Sequence, residues 1–174
     1  KIGTIADLIN YRILNEKTVE KIDQKSVRTE YGKFNLILYK DLIFDETHLV
    51  LQKGKISKKS PTLVRVQQSN LYHDLLNVDE FGTRWSVSDA MKKINEAGNG
   101  IILLIDGDNN KENEFKEIRA SKKKRKTTPN NDPRRIGIGS QILRDLGIKK
   151  IKLMGSEVRY PSLSGFDLEV TEYI

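Results

Sequence analysis

The segment NDPRRIGIGS, residues 131–140, places an acid and two basic side chains directly before two glycines. Asp132 and Arg134 stand two residues apart, with Arg135 next in the chain, and arginine is well suited to meet a phosphate. The Ile-Gly-Ile-Gly run lacks the spacing of a glycine-rich phosphate loop, and close packing of a helix on a strand explains it better. The residues therefore raise the question whether the segment still handles phosphate.

Arg65 is a second candidate for a phosphate contact. It lies in TLVRVQQ, a predicted strand, where it alternates with Val64 and Val66, so a solvent-facing position is equally compatible with the pattern. The run KKKRK at 122–126 adds five positive charges in a chain of net charge +7 and could contact nucleic acid. No aromatic residues are interleaved for base stacking, so we interpret the run as a solvated loop and do not expect nucleic-acid binding.

The chain has no cysteine, which excludes disulfides and any Cys-ligated metal. Other ligands could come from four residues that lie close together in the sequence, His73, Asp74, Asp79 and Glu80. Acidic clusters of this kind in loops are usually only solvated. His48 falls on a predicted strand, where a lone histidine is more often structural than a ligand. We therefore predict no metal site.

Apolar spacing predicts the elements that would position these residues. In the first half, residues 4–22 form one amphipathic helix or one broken near Asn15, and two strands at 30–41 and 42–54 turn at residues 45–47. A further strand follows at 62–68. This half is typical of an antiparallel hairpin section.

The second half alternates helices with strands. A helix runs from a Ser86 cap to Gly98, and a short helix opens at Gly139 or Ser140 and ends at Leu146. The predicted strands of this half are residues 101–106, 149–154 and 166–174. The pattern dissolves after residue 106, and we expect residues 107–131 to be mobile. The fold class is therefore α/β with mixed α+β character.

Length and composition bound the class of protein. With 174 residues, 37% hydrophobic and 32% charged, the chain fits one compact domain. No apolar run is long enough to cross a bilayer, so we expect no membrane association. The absence of cysteine leads us to expect a cytoplasmic location. The chain starts at Lys1 and its first 22 residues alternate polar and apolar side chains, which indicates a fragment of a longer chain rather than a signal peptide.

Several stretches, in order, resemble the GTP cyclohydrolase II domain of riboflavin biosynthesis, in the form fused behind a 3,4-dihydroxy-2-butanone 4-phosphate synthase domain. These stretches are TIADLINYRILNEKTVEKI, YGKFNLILYKD, LVRV, NEAGNGIILLI and DPRRIGIGSQILRDLGIKKIKLM. The resemblance covers nearly the whole chain. It implies a GTP cyclohydrolase II-like fold over residues 26–174, with residues 1–25 as a linker helix from the upstream synthase domain in the same chain, and a homodimer.

The resemblance also implies a zinc ion held by three cysteines, which polarises a water that opens the guanine ring. The family's ligand pattern, laid on this sequence without gaps, falls on Asn70, Phe81 and Thr83. These residues do not form a competent zinc site, so no cofactor is expected. Two nucleotide motifs of the family are also replaced, by GDNNK at 107–111 and by Gly155 and Tyr160 in the tail.

Asp132 and Arg134 match the family's Asp-x-Arg pair. The resemblance implies that the aspartate is a base and that the arginine is a nucleophile towards the nucleotide's α-phosphate. Pro133 stands between the pair here, and Ile136 replaces the family's tyrosine. An arginine nucleophile depends on a positioned base, a bound triphosphate and the metal, so we interpret the pair as inactive remnants. Arg65 matches the family's strand arginine and stays a tentative nucleotide contact.

Three functions are left open. We prefer a degenerate, non-catalytic domain with weak or absent GTP binding, which serves packing, dimerisation or support of the fused synthase. The first alternative is an active GTP cyclohydrolase II-type hydrolase, converting GTP to a diaminopyrimidine phosphate, formate and pyrophosphate, with an atypical or absent metal site. The second alternative is a nucleotide- or flavin-sensing module that uses Arg65, Arg134, Arg135 and the basic run.

Overall fold

The fold was obtained as a computed structural model. The structure describes residues 8, 11–12, 15–68, 74, 85–106, 133–155, 157 and 161–174, and the statements below concern this part of the chain. The segment predicted to be mobile, 107–131, lies outside it. Among the helices that are described, none is long and apolar enough to cross a membrane.

A single sheet forms the centre of the described chain. Its strands are β1 (Val19–Thr29), β2 (Gly32–Asp41), β3 (Thr47–Lys53), β4 (Thr62–Gln68), β5 (Gly100–Ile105), β6 (Lys150–Leu153) and β7 (Glu169–Tyr173). They lie in the order β1-β2-β3-β5-β4-β6-β7. Neighbours are antiparallel from β1 through β3 to β5, and parallel from β5 through β4 and β6 to β7. The predicted mixed fold class, an antiparallel section joined to an α/β section, is confirmed.

Two helices cover opposite faces of the sheet. Helix α1 (Val87–Ala97) packs through Ala90, Met91 and Ile94 on one face. Helix α2 (Pro133–Asp145) packs through Ile138, Ile142 and Leu143 on the other. Successive residues of a strand point to opposite faces of the sheet, so alternate residues of β5 pack in the two hydrophobic cores, one beneath each helix. A 3-10 helix, Pro161–Phe166, leads into β7.

The ends of α1 were predicted correctly. The Ser86 hydroxyl accepts a hydrogen bond from the Asp89 N–H, and Gly98 ends the helix at φ 75°. The predicted start of α2 at Gly139 or Ser140 is wrong, because the helix begins at Pro133. Proline suits the first helical position, where its missing N–H is not needed.

The amino-terminal prediction is partly wrong. The described residues Leu8, Tyr11, Arg12 and Asn15 are helical, and the chain leaves the helix at Glu16, close to the expected break. From Val19 onwards, however, the chain is strand β1, not helix. Pairing with β2 decided this, because tertiary context overrides a local helical pattern. The strand crosses residue 25, where the linker helix was expected to end.

Candidate functional site

Three parts of the fold meet where β4 and β5 end and α2 begins. Gly139 of α2 lies so close to β5 that a Cβ atom built on it would stand 3.2 Å from Ile105 Cδ1. Arg135 donates a hydrogen bond from Nη1 to Gln68 Oε1 at the end of β4. The close helix–strand packing predicted for the glycines is therefore present, and it brings the start of α2 to the edge where the parallel strands finish.

Arg65 is half-buried on β4 and binds protein acceptors. It donates from Nε to Gln67 Oε1 at 2.9 Å, from Nη1 to the Met154 carbonyl at 2.8 Å and from Nη2 to the Trp85 carbonyl at 3.2 Å. Gln67 in turn donates from Nε2 to Asp74 Oδ1 at 2.7 Å. The guanidinium thus ties β4 to the end of β6 and to the start of α1, rather than alternating into solvent.

Gly155 makes room for this arrangement. A Cβ atom built on Gly155 would lie 3.3 Å from Arg65 Nη1, closer than most real contacts of that kind. The resemblance places the threonine of the tail motif at this position. A threonine at position 155 would therefore crowd the inward-facing guanidinium of Arg65, whereas glycine leaves space for it.

Arg134, the arginine of the Asp-x-Arg pair, lies in the first turn of α2 and contacts the β2–β3 turn. Its Nη2 pairs with Glu46 Oε2 at 2.5 Å, and the two side chains are 29% and 28% exposed. Its guanidinium carbon stands 3.4 Å from the centre of the Phe44 ring, within cation–π range. This contact holds the guanidinium on a carboxylate and a ring of the same chain.

The remaining residues singled out in the sequence are not placed by the structure. Asp132, the base of the pair, and the three zinc positions Asn70, Phe81 and Thr83 lie outside the described residues. The same holds for His73, Asp79, Glu80, Tyr160 and the run 122–126. Of the acidic segment only Asp74 is described, and there it accepts the hydrogen bond from Gln67.

A buried cluster that was not predicted lies beside Arg134. Asp41 at the end of β2, Glu46 in the turn and His48 on β3 each offer one ligand atom, and these atoms all lie within 4.8 Å of one another. Asp41 and His48 are 0% exposed. His48 was predicted correctly as a strand residue. The only sequence signal was two acids and a histidine within eight residues across a hairpin turn, a spacing that is uninformative until the turn is known.

Burial controls the charge of His48. Loss of hydration lowers the pKa of its imidazole, and the charges of Asp41, Glu46 and Asp106 oppose this only in part. Its Nδ1 accepts a hydrogen bond from the Asp106 N–H at 3.2 Å. The imidazole is therefore neutral in this form, with its proton on Nε2.

A second polar group anchors the far end of α2. Lys17 donates to Asp145 Oδ1 at 2.6 Å, and the Tyr39 hydroxyl donates to Asp145 Oδ2 at 2.8 Å. Although partial burial acts in the opposite direction, these bonds lower the pKa of Asp145. Burial, followed by the bond to Asp145, raises the pKa of Tyr39. These bonds connect α2 to β2 and to the segment that precedes β1. They thereby position the helix that carries Arg134.

In a comparison with known proteins, the family model of GTP cyclohydrolase II matches residues 20–174 of this chain. A 3,4-dihydroxy-2-butanone 4-phosphate synthase from Pseudomonas aeruginosa is 44% identical over 100% of this chain and 48% of that protein. The riboflavin biosynthesis protein RibBA of Aquifex aeolicus is 34% identical over 100% of this chain and 46% of that protein.

A solved structure is also similar. The crystal structure of RibBX, a two domain 3,4-dihydroxy-2-butanone 4-phosphate synthase from A. baumannii, is 37% identical with a TM-score of 0.62, over 99% of this chain and 45% of that one. The chain thus spans about half the length of the relatives it matches.

Proposed function

This chain belongs to the GTP cyclohydrolase II family, and we propose that it is a degenerate form of the family domain, without GTP ring-opening activity. In this proposal the domain supports or dimerises a 3,4-dihydroxy-2-butanone 4-phosphate synthase domain of the same polypeptide, in the cytoplasm. Relatives that bear the synthase name and are about twice as long support the pairing.

The observation that carries the proposal is the state of the two matched arginines. Arg65 donates to two backbone carbonyls and a glutamine, while Arg134 is paired with Glu46 and lies on Phe44. A guanidinium that acts on a triphosphate must present its donors to the ligand. Here the three guanidinium nitrogens of Arg65 and Nη2 of Arg134 bind groups of the same chain, and a nucleotide would have to displace those donors from partners already in place.

The chemistry of the zinc-ligand positions supports the same conclusion. The resemblance assigns the family's zinc to three thiolates, and this chain contains no cysteine. Asn70, Phe81 and Thr83 offer an amide, a hydrocarbon ring and a hydroxyl, which do not fit a zinc ion that must activate water. No reaction step is therefore assigned to that ion.

The decisive experiment is a turnover assay on the purified chain. GTP with Zn²⁺ and Mg²⁺ is incubated with the protein, and formate, pyrophosphate and the diaminopyrimidine product are measured against a protein-free blank. We expect no product above the blank. Formate released in proportion to protein concentration would overturn the proposal in favour of an active hydrolase with an unusual site.

Two binding measurements test the rest of the proposal. Calorimetry with GTP and with flavin mononucleotide should give no saturable heat, whereas saturation with either ligand would favour the sensing function instead. Light scattering after gel filtration should give twice the 20.0 kDa chain mass. A monomer at all concentrations would remove dimerisation from the proposed role.

A further inference from the structure

The cluster of Asp41, Glu46 and His48 has the features of a prepared site. Asp41 Oδ1 accepts hydrogen bonds from the N–H groups of Ile43 and Phe44, at 2.7 and 3.3 Å, which fixes the carboxylate plane. One oxygen of Glu46 is held by Arg134. Outer contacts that fix one atom of each group while leaving another open are typical of metal ligands.

The open atoms are buried without a partner. Among the described residues, Asp41 Oδ2 and His48 Nε2 are buried side-chain atoms that make no hydrogen bond, although both residues are 0% exposed. A buried polar atom left unsatisfied costs about 1–3 kcal/mol. Two such atoms on residues of one cluster indicate that something binds there.

We propose that Asp41, Glu46 and His48 bind one divalent cation of the zinc and cobalt class. An imidazole nitrogen with two carboxylates is a ligand set that such ions accept. The two carboxylates and the Arg134 guanidinium leave the cluster negative, and the charge of Asp106 adds to this. With metal–ligand bonds of about 2.1 Å, the ligand atoms around a tetrahedral ion lie roughly 3.4 Å apart. The three ligand atoms of the cluster lie within 4.8 Å of one another, so they need to move only slightly closer to bind the ion.

Binding must change the protonation of His48. In the structure Nδ1 accepts a hydrogen bond from the Asp106 N–H, which leaves the imidazole proton on Nε2. Ligation through Nε2 moves that proton to Nδ1 and breaks the contact with Asp106. The ion is thereby linked to the end of β5, and the tautomer of His48 becomes a direct report of occupancy.

The test is a cation titration of the chelator-treated chain. Zn²⁺ binding is followed by calorimetry, Co²⁺ binding by visible absorption, and the bound ion is counted after desalting. We expect one ion per chain, with affinity reduced about tenfold or more in D41N and in H48Q. D41N keeps an oxygen for the Ile43 and Phe44 N–H groups, so the turn is preserved while one ligand oxygen is lost.

Matched controls separate the site from general surface binding. D45N changes a neighbouring acid whose side chain is 84% exposed and paired with Lys40, and H73Q removes the second of the chain's two histidines. Both variants should bind as the wild type does. If H48Q fails to fold, D41N and E46Q answer the question by themselves.

Three results would overturn the inference. The first is that the wild type takes up no stoichiometric ion, which is the result expected if a water molecule bridges the cluster instead. The second is equal affinity for the ion in D41N and D45N. The third is nitrogen NMR that shows the His48 proton still on Nε2 when Zn²⁺ is present. The inference goes beyond the proposed function and fails separately from it. Formate release tests GTP chemistry, whereas uptake that is lost in D41N tests this cluster alone.

Discussion

Replacing Arg65 by alanine should destabilise the chain, because this guanidinium holds three parts of the fold together. The structure gives it at least three hydrogen bonds, to Gln67 and to the carbonyls of Met154 and Trp85. At about 1 kcal/mol net for each bond, the loss is about 3 kcal/mol. That is a large share of the roughly 5–15 kcal/mol that stabilises a typical domain.

The assay is urea unfolding followed by circular dichroism, with the free energy of unfolding extrapolated to zero denaturant. R28A is the matched control, because Arg28 is exposed on β1 and its loss should change stability by less than about 0.5 kcal/mol. R65K should fall between the wild type and R65A, since an ammonium group cannot reach acceptors placed for a planar guanidinium.

A loss below about 0.5 kcal/mol in R65A would refute the reasoning, because it would mean that the bonds add nothing to folding. A gain in stability would refute it more strongly. Residues kept for ligand binding are often destabilising, so a gain would point to Arg65 as a phosphate contact after all.

Three further changes test other parts of the structure. G155T should destabilise by about 1 kcal/mol through displacement of Arg65, and an unchanged urea midpoint would contradict the steric link. G100A places a Cβ atom 2.9 Å from a backbone oxygen at a φ of 155°, and it should lower the free energy of unfolding by about 3 kcal/mol. The control G98A should lower it by only about 1 kcal/mol, because no atom lies within 4 Å of the added Cβ atom. Burial lowers the pKa of His48 in the folded chain. As the pH falls below about 6.5, the imidazole is therefore protonated in the unfolded chain before it is protonated in the folded chain. Without metal, stability should therefore decrease from pH 7 to 5.5, with a shallower slope in H48Q; equal slopes would exclude His48 as the cause.

Local patterns were sufficient where local chemistry decides the structure. The Ser86 cap and the left-handed Gly98 mark α1 because a hydroxyl and a flexible backbone act within one turn of helix. The β4 strand over residues 62–68 was predicted with the observed bounds. The mixed fold class also followed from the order of elements, since strands that alternate with helices favour a parallel sheet.

Local patterns failed where a distant partner decides. Residues 19–22 continue a helical spacing, but they form β1 because β2 offers a full row of hydrogen bonds. The early start of α2 at Pro133 escaped detection because glycines near Ile136 and Ile138 lower helix propensity, and only packing against β5 compensates.

By itself, the sequence determined the family resemblance and the absence of every thiolate ligand, since a missing residue type cannot be supplied by folding. It left the role of each arginine undecided. Only the tertiary structure put Arg65 against two carbonyls and Arg134 against Glu46 and Phe44. Only the hairpin brought Asp41 to His48. The physical reason is range: composition and periodicity act over a few residues, whereas the contacts of a charged side chain depend on which distant segments the sheet places beside it.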